Sequence, residues 1–202
     1  MLVAGCALGE RPTLMPATTL APAMANEPTG VVAVDALLER LANAPNAVYT
    51  ANYSITRLLG PVVAAAVVAN TPGTTSITVR DVRYLIAAEG TQTCTLSTAA
   101  CTSGIDAAPV SDLSIAPGFS TESVSAQIRV SMSRRNGEPI MSSQVIAGQS
   151  SECVSIGVGA GTETYCVTAT GPAALVDRAD VRIELTGWTD AADPILLVPP
   201  TR

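Results

Sequence analysis

Ala47-Val48-Tyr49-Thr50-Ala51-Asn52-Tyr53-Ser54-Ile55-Thr56-Arg57 alternates along its length: positions 47 to 55 are apolar or aromatic at every odd number, and Thr50, Asn52, Ser54 and Thr56 between them are polar. Successive side chains of a strand point to opposite faces, so this period of two predicts a strand with one face in a core and the other in water. Such one-sided strands belong to antiparallel sheets that are covered on one side. Just upstream, Val34, Leu37, Leu38 and Leu41 recur at helical spacing with Asp35, Glu39 and Arg40 turned away, and Asn43-Ala44-Pro45-Asn46 ends the segment. Just downstream, β-patterned runs at 62–69, 76–87 and 91–97 and a short one at Cys101 are separated by Asn70-Thr71-Pro72-Gly73 and Glu89-Gly90. Brief turns between successive strands predict an antiparallel meander. Within 76–87 the apolar parity switches from Ile77 and Val79 to Val82, Tyr84 and Ile86, which predicts a bulge near Arg80-Asp81.

Residues 104–118 carry Pro, Ser and Asp and read as a loop. Phe119, Val124, Ile128 and Met132 then mark one face of a second helix, with Ser120 as N-cap, Glu122 in the first turn, Arg134 and Arg135 in the last, and Asn136-Gly137 as the stop. Strand patterns return at 140–147, 152–158, 162–170 and 181–188. The expected fold is α+β: a curved antiparallel β-sheet, a half-barrel meander, with two helices on its concave face. Residues 31–188 form one domain in this reading, preceded by a tether over 1–30 and followed by a Pro-bearing tail over 189–202.

The five cysteines divide into Cys6 and four others. In Glu152-Cys153-Val154-Ser155-Ile156-Gly157-Val158, Gly159-Ala160-Gly161, Thr162-Glu163-Thr164-Tyr165-Cys166-Val167, two β runs flank a glycine turn. Folding them as a hairpin sets Cys153 opposite Cys166 and Val154 opposite Tyr165, and cross-strand Cα spacings of about 4.5–5.5 Å suit a disulfide. The same construction brings Cys94 to Cys101. These two pairs are preferred over bridges between the hairpins or a thiolate metal site, which the spacing leaves open.

Composition removes many activities. The chain has no His and no Lys, so Ser-His-Asp and Cys-His hydrolysis, His-bearing zinc sites and Schiff-base chemistry are ruled out. Carboxylates such as Asp81, Glu89, Asp177, Asp180 and Glu184 fall at turns or on polar strand faces, where paired acid/base work is not expected. Asn52-Tyr53-Ser54 matches a glycosylation sequon inside a strand and is discounted. A formal net charge of -6 disfavours nucleic acid as a partner, and aromatics at 3% leave few stacking platforms. We expect no enzyme, no cofactor and no metal. The longest apolar stretch, 61–69, falls well short of the roughly 20 residues needed to span a bilayer.

Leu2-Val3-Ala4-Gly5-Cys6 resembles the lipobox of bacterial lipoproteins, an aliphatic residue and two small ones before the cysteine that receives lipid. The resemblance implies a diacylglyceryl anchor on Cys6, and two acyl chains hold a membrane stably where one would not. Residues 7–30, rich in Pro, Thr and Ala and without apolar periodicity, suit a flexible tether. The basic and apolar segments that normally precede a lipobox are not among these residues, which leads to the expectation of a start further upstream or a trimmed sequence. Together the lipobox, the helix leading into AVYTANYSITR and the hairpin ECVSIGVGAGTETYC resemble, over 31–188, actinobacterial lipoproteins of the LprG and LppX kind, which share a half-barrel with the LolA lipoprotein carrier. That resemblance implies an acyl chain or lipoprotein held between sheet and helices.

The expected function is therefore a membrane-anchored, extracytoplasmic lipoprotein of the cell envelope that binds or carries an apolar ligand such as a lipid. Tyr49, Tyr53, Ile55, Val124, Ile128 and Met132 are the expected cavity lining, and a filled, ligand-free core is the competing reading of the same six. Trp188 is expected to pack at an edge. The alternative function is a structural or protein-interaction lipoprotein, whose protein partner the sequence does not name.

Overall fold

The computed structural model describes residues 27–201, so Cys6 and most of the tether lie outside the described residues. Helix α1 (Val32–Asn43) leads into strands β1 (Tyr49–Arg57), β2 (Val62–Thr71), β3 (Thr74–Val79), β4 (Val82–Ala87), β5 (Gly90–Thr95) and β6 (Ala100–Ser103). Helix α2 (Glu122–Ser133) follows, then β7 (Ile140–Ile146), β8 (Gln149–Val158), β9 (Gly161–Thr168), β10 (Ala173–Asp177) and β11 (Val181–Thr189). Among the described residues these strands make one antiparallel sheet in the order β6-β5-β4-β3-β2-β1-β11-β10-β9-β8-β7. The first meander runs outward from the middle and the second runs back to it, so the first and last strands meet at the centre. Because β6 and β7 remain as free edges, the sheet is open, a half-barrel with the two helices on its concave face.

Register shifts at Asn52/Tyr53 in the β1–β11 pair and at Ala173/Leu175 in the β9–β10 pair add the local twist that bends a sheet. The inner face is built from Tyr49, Ala51, Tyr53 and Ile55 of β1 and their neighbours Ala64, Ala66 and Val68 of β2, all buried. Val34, Leu37, Leu38 and Leu41 of α1 and Val124, Ile128 and Met132 of α2 close over them. At Gly171 the backbone of α1 comes so close that an added Cβ would sit 2.6 Å from the Arg40 carbonyl oxygen, and the residue itself holds φ +116°. Only glycine meets both conditions.

Several expectations change in the structure. The parity switch near Arg80-Asp81 is a two-residue hairpin turn, not a bulge: Val79 pairs with Val82, and Arg80 takes φ 54°. Within 104–118 a 3-10 segment, Ala108–Leu113, buries Val110 and Leu113 beneath β1 and β2. Strand β10, which is not among the strand patterns read from the sequence, joins β9 to β11. At the start of α2 the cap position belongs to Thr121, with no side-chain cap bond; Ser120 is buried and its carbonyl accepts the Ala173 N–H at 2.8 Å. The tail after β11 crosses the face turned away from the helices. There Thr50 Oγ1 donates to the Ala191 carbonyl at 2.8 Å, and Arg83 Nη1 donates to the carbonyls of Ile195 and Val198 at 3.1 and 3.0 Å. No helix among the described residues is long and apolar enough to cross a membrane.

Candidate binding site

Tyr49, Tyr53, Ile55, Val124, Ile128 and Met132 all belong to one apolar cluster between sheet and helices, and none is more than 2% exposed. Ile55 and Ile128 are fully enclosed by their neighbours. The Tyr53 ring meets Phe119 edge-on at 5.3 Å, and its hydroxyl donates to the Ala173 carbonyl at 3.0 Å. Tyr49 stacks on the half-buried Trp188 at 4.7 Å. All six side chains are buried in the packed layer between sheet and helices.

One of several hollows at the surface lies beside this core, where α2 meets the end of the β8–β9 hairpin. Gln127, Val130, Ser131 and Arg134 of α2, Val158 of β8, Glu163 and Tyr165 of β9, and Arg178 from the β10–β11 turn surround a hollow of about 180 Å³. Glu163 and Tyr165 are two apart on one strand and so share a face. On the opposite face of the hairpin, behind the hollow, the disulfide Cys153–Cys166 fixes the two strands in register; the second disulfide, Cys94–Cys101, ties β5 to β6.

Polar groups in this notch are close and partly buried. The Tyr165 hydroxyl donates to Glu163 Oε2 at 2.9 Å and lies 3.0 Å from Ser131 Oγ, while Arg178 and Glu163 form an ion pair at 3.7 Å. Ser131 Oγ also contacts Glu163 Oε2 and lies 2.9 Å from the Gln127 carbonyl oxygen. One hydroxyl proton cannot serve all three acceptors around Ser131. Burial pushes the Tyr165 hydroxyl up, the neighbouring Glu163 carboxylate adds to the shift, and the Ser131 contact and Arg178 charge oppose it. Tyr165 is therefore a proton donor at neutral pH. Gln127 Oε1, an acceptor, is buried without a hydrogen-bond partner, and Arg178 Nε makes no hydrogen bond beyond its 3.7 Å ion pair with Glu163 Oε1. A buried polar atom left unpaired costs about 1–3 kcal/mol, which a hydrogen-bond donor placed at Gln127 Oε1 would offset.

None of Gln127, Ser131, Glu163 or Arg178 stands out in the sequence as a site residue. The available signal is polarity in the wrong place: Ser131 falls on the apolar stripe between Ile128 and Met132, and Glu163 shares the inward face with Tyr165. A second hollow, of about 200 Å³, lies where Glu27, Pro28 and Thr29 reach α2 beside Arg129 and Met132. Arg129 Nη1 donates to the Glu27 carbonyl there, which marks where the described chain leaves the tether.

No protein-family model matches the chain, and no curated protein matches it in sequence. Solved structures do match in fold. The structure of MucB in complex with MucA(peri) is similar at a TM-score of 0.50 and 13% identity, over 81% of this chain and 58% of that one. The Pseudomonas aeruginosa MucA/MucB complex gives a TM-score of 0.50 at 13% identity over 81% and 59%, and MucB alone gives 0.50 at 13% over 82% and 61%. The chain thus spans less than two thirds of the length of the MucB chains it matches. What it shares with them is a fold: an open, curved antiparallel sheet with helices packed into it.

Proposed function

We propose that this protein is a non-catalytic, extracytoplasmic binding protein, tethered to the membrane by lipid on Cys6, that holds a protein partner through the notch between α2 and the β8–β9 hairpin. The observation that carries this reading is the polar hollow beside the core, lined by Gln127, Ser131, Glu163, Tyr165 and Arg178, in which Gln127 Oε1 is buried without a hydrogen-bond partner. A peptide group or side-chain carboxamide offers an N–H for Gln127 Oε1 and a C=O for the Arg178 guanidinium, whereas an acyl chain offers neither. With the interior filled, an apolar ligand would have to lift α1 and α2 off the sheet. Among the solved structures similar in fold, MucB is seen in complex with MucA, and that precedent favours a protein ligand.

Catalysis is not part of the proposal. Ser131 has a carboxylate and a protonated phenol as neighbours, and the chain has no imidazole to draw off its proton. Extracytoplasmic placement is supported by the two disulfides, which persist in oxidising compartments. The lipobox-like start and the helix–strand pattern support reading the chain beside the LprG and LppX lipoproteins.

The test is site-specific photo-crosslinking in intact cells, with the probe placed at Val130 on the rim of the notch or at Val63, an exposed position on β2. A discrete protein adduct at Val130, absent at Val63 and lost when Gln127 and Arg178 are changed to Ala, is the expected result. A lipid adduct, or a protein adduct indifferent to those changes, would overturn the reading. Membrane attachment is checked separately: Cys6→Ser should move the protein to the soluble fraction.

A further inference from the structure

The two edges of the sheet differ in how much pairing they offer. β6 is four residues long and is bound to β5 by Cys94–Cys101. β7 is seven residues, Ile140-Met141-Ser142-Ser143-Gln144-Val145-Ile146, with no charge and no proline. All seven pair with β8 on one side, and among the described residues nothing pairs with the other. Every second residue of β7 therefore turns its N–H and C=O outward, and Ile140 and Val145 are 69% and 72% exposed. Natural edge strands normally carry a charge, a proline or a bulge that stops strand addition; β7 has none of these.

The pattern of β7 also selects its neighbour. An antiparallel strand placed by a two-fold axis through Ser143 sets Ile140 opposite Ile146 of a second copy, Met141 opposite Val145, Ser142 opposite Gln144, and Ser143 opposite itself. Each apolar residue meets an apolar one and each polar residue a polar one, which is the self-complementarity a two-fold interface requires. Just outside, Glu138 falls opposite Gly148, so no like charges meet. The chain's own N-terminal segment is a poor competitor, because Pro12, Pro16 and Pro22 interrupt any run of backbone donors.

We propose that two copies join β7 to β7, antiparallel and centred on Ser143, into one continuous sheet twice as wide. A seven-residue edge contact is at the small end of specific interfaces, so the dimer exchanges with monomer. The test uses the full chain carrying Cys6→Ser, so that no thiol outside the two disulfides remains. Sedimentation should show a dimer that grows with concentration. Val145→Lys, at an exposed edge position, should be monomeric at concentrations where the parent is dimeric. Adding Ser143→Cys should give a disulfide-linked dimer on mild oxidation, and Val63→Cys should not. A parent that stays monomeric, a dimer that persists in Val145→Lys, or Ser143→Cys linking no better than Val63→Cys would each overturn the proposal. Deleting residues 1–26 should leave the dimer unchanged; if dimerisation appears only after the deletion, the tether is the natural occupant of the edge and the proposal fails.

Discussion

At Gly171 two demands meet: a positive φ and the backbone of α1 in the space a Cβ would take. Gly171→Ala is expected to lower stability by roughly 2–4 kcal/mol in denaturant melts, since the strain and the overlap both act; wild-type stability would mean that α1 shifts at no cost. Nothing near Gly171 in the chain announces this, because the demand comes from a helix far away in sequence. The tyrosines are a second residue-scale case. Burial pushes the hydroxyls of Tyr49, Tyr53, Tyr84 and Tyr165 above the ordinary value of 10.0. Above pH 10 the unfolded chain loses these protons while the folded chain keeps them, so the unfolded state binds fewer protons and stability falls as pH rises. Below that pH both states hold them and the contribution is fully present. Tyrosinate absorbance should therefore rise together with unfolding; ionisation well before unfolding would contradict the burial.

At the scale of elements, legibility followed exposure. β1 could be read because apolar and polar residues alternate along it, and the β8–β9 hairpin because two β-patterned runs flank a glycine turn, from which the pairing of Cys153 with Cys166 follows. β10 was silent: Ala173, Ala174 and Val176 are all buried, so the alternation that marks a strand is lost, and Gly171-Pro172 before it reads as a turn. The 3-10 segment Ala108–Leu113 is too short for a period, although Val110 and Leu113 are three apart and fall on one side of it. The Arg80-Asp81 turn has none of the usual Gly or Asn, so its parity switch imitates a bulge. Since the Cys153–Cys166 bridge lies behind the notch, replacing both cysteines with Ser should cost roughly 2–4 kcal/mol in reversible unfolding. The same change should weaken partner capture at Val130; unchanged capture would show that the notch does not depend on the hairpin's rigidity.

For the whole molecule, the half-barrel and the helices on its concave face were legible from the sequence of helix, meander, helix, meander. The order of strands was not, because pairing β1 with β11 brings together the two ends of the domain and leaves no local trace. Nor does sequence decide whether apolar side chains fill a concavity or line it: Tyr49, Tyr53, Ile55, Val124, Ile128 and Met132 suit either, and only their packing separates the two. In the proposed function the protein's own side chains occupy the concavity and the partner binds outside it. Native mass spectrometry of the Cys6→Ser protein, purified without detergent, tests this most directly. Only masses of the bare polypeptide, as monomer or dimer, are expected, and a stoichiometric acyl-chain adduct released by organic solvent would overturn this reading.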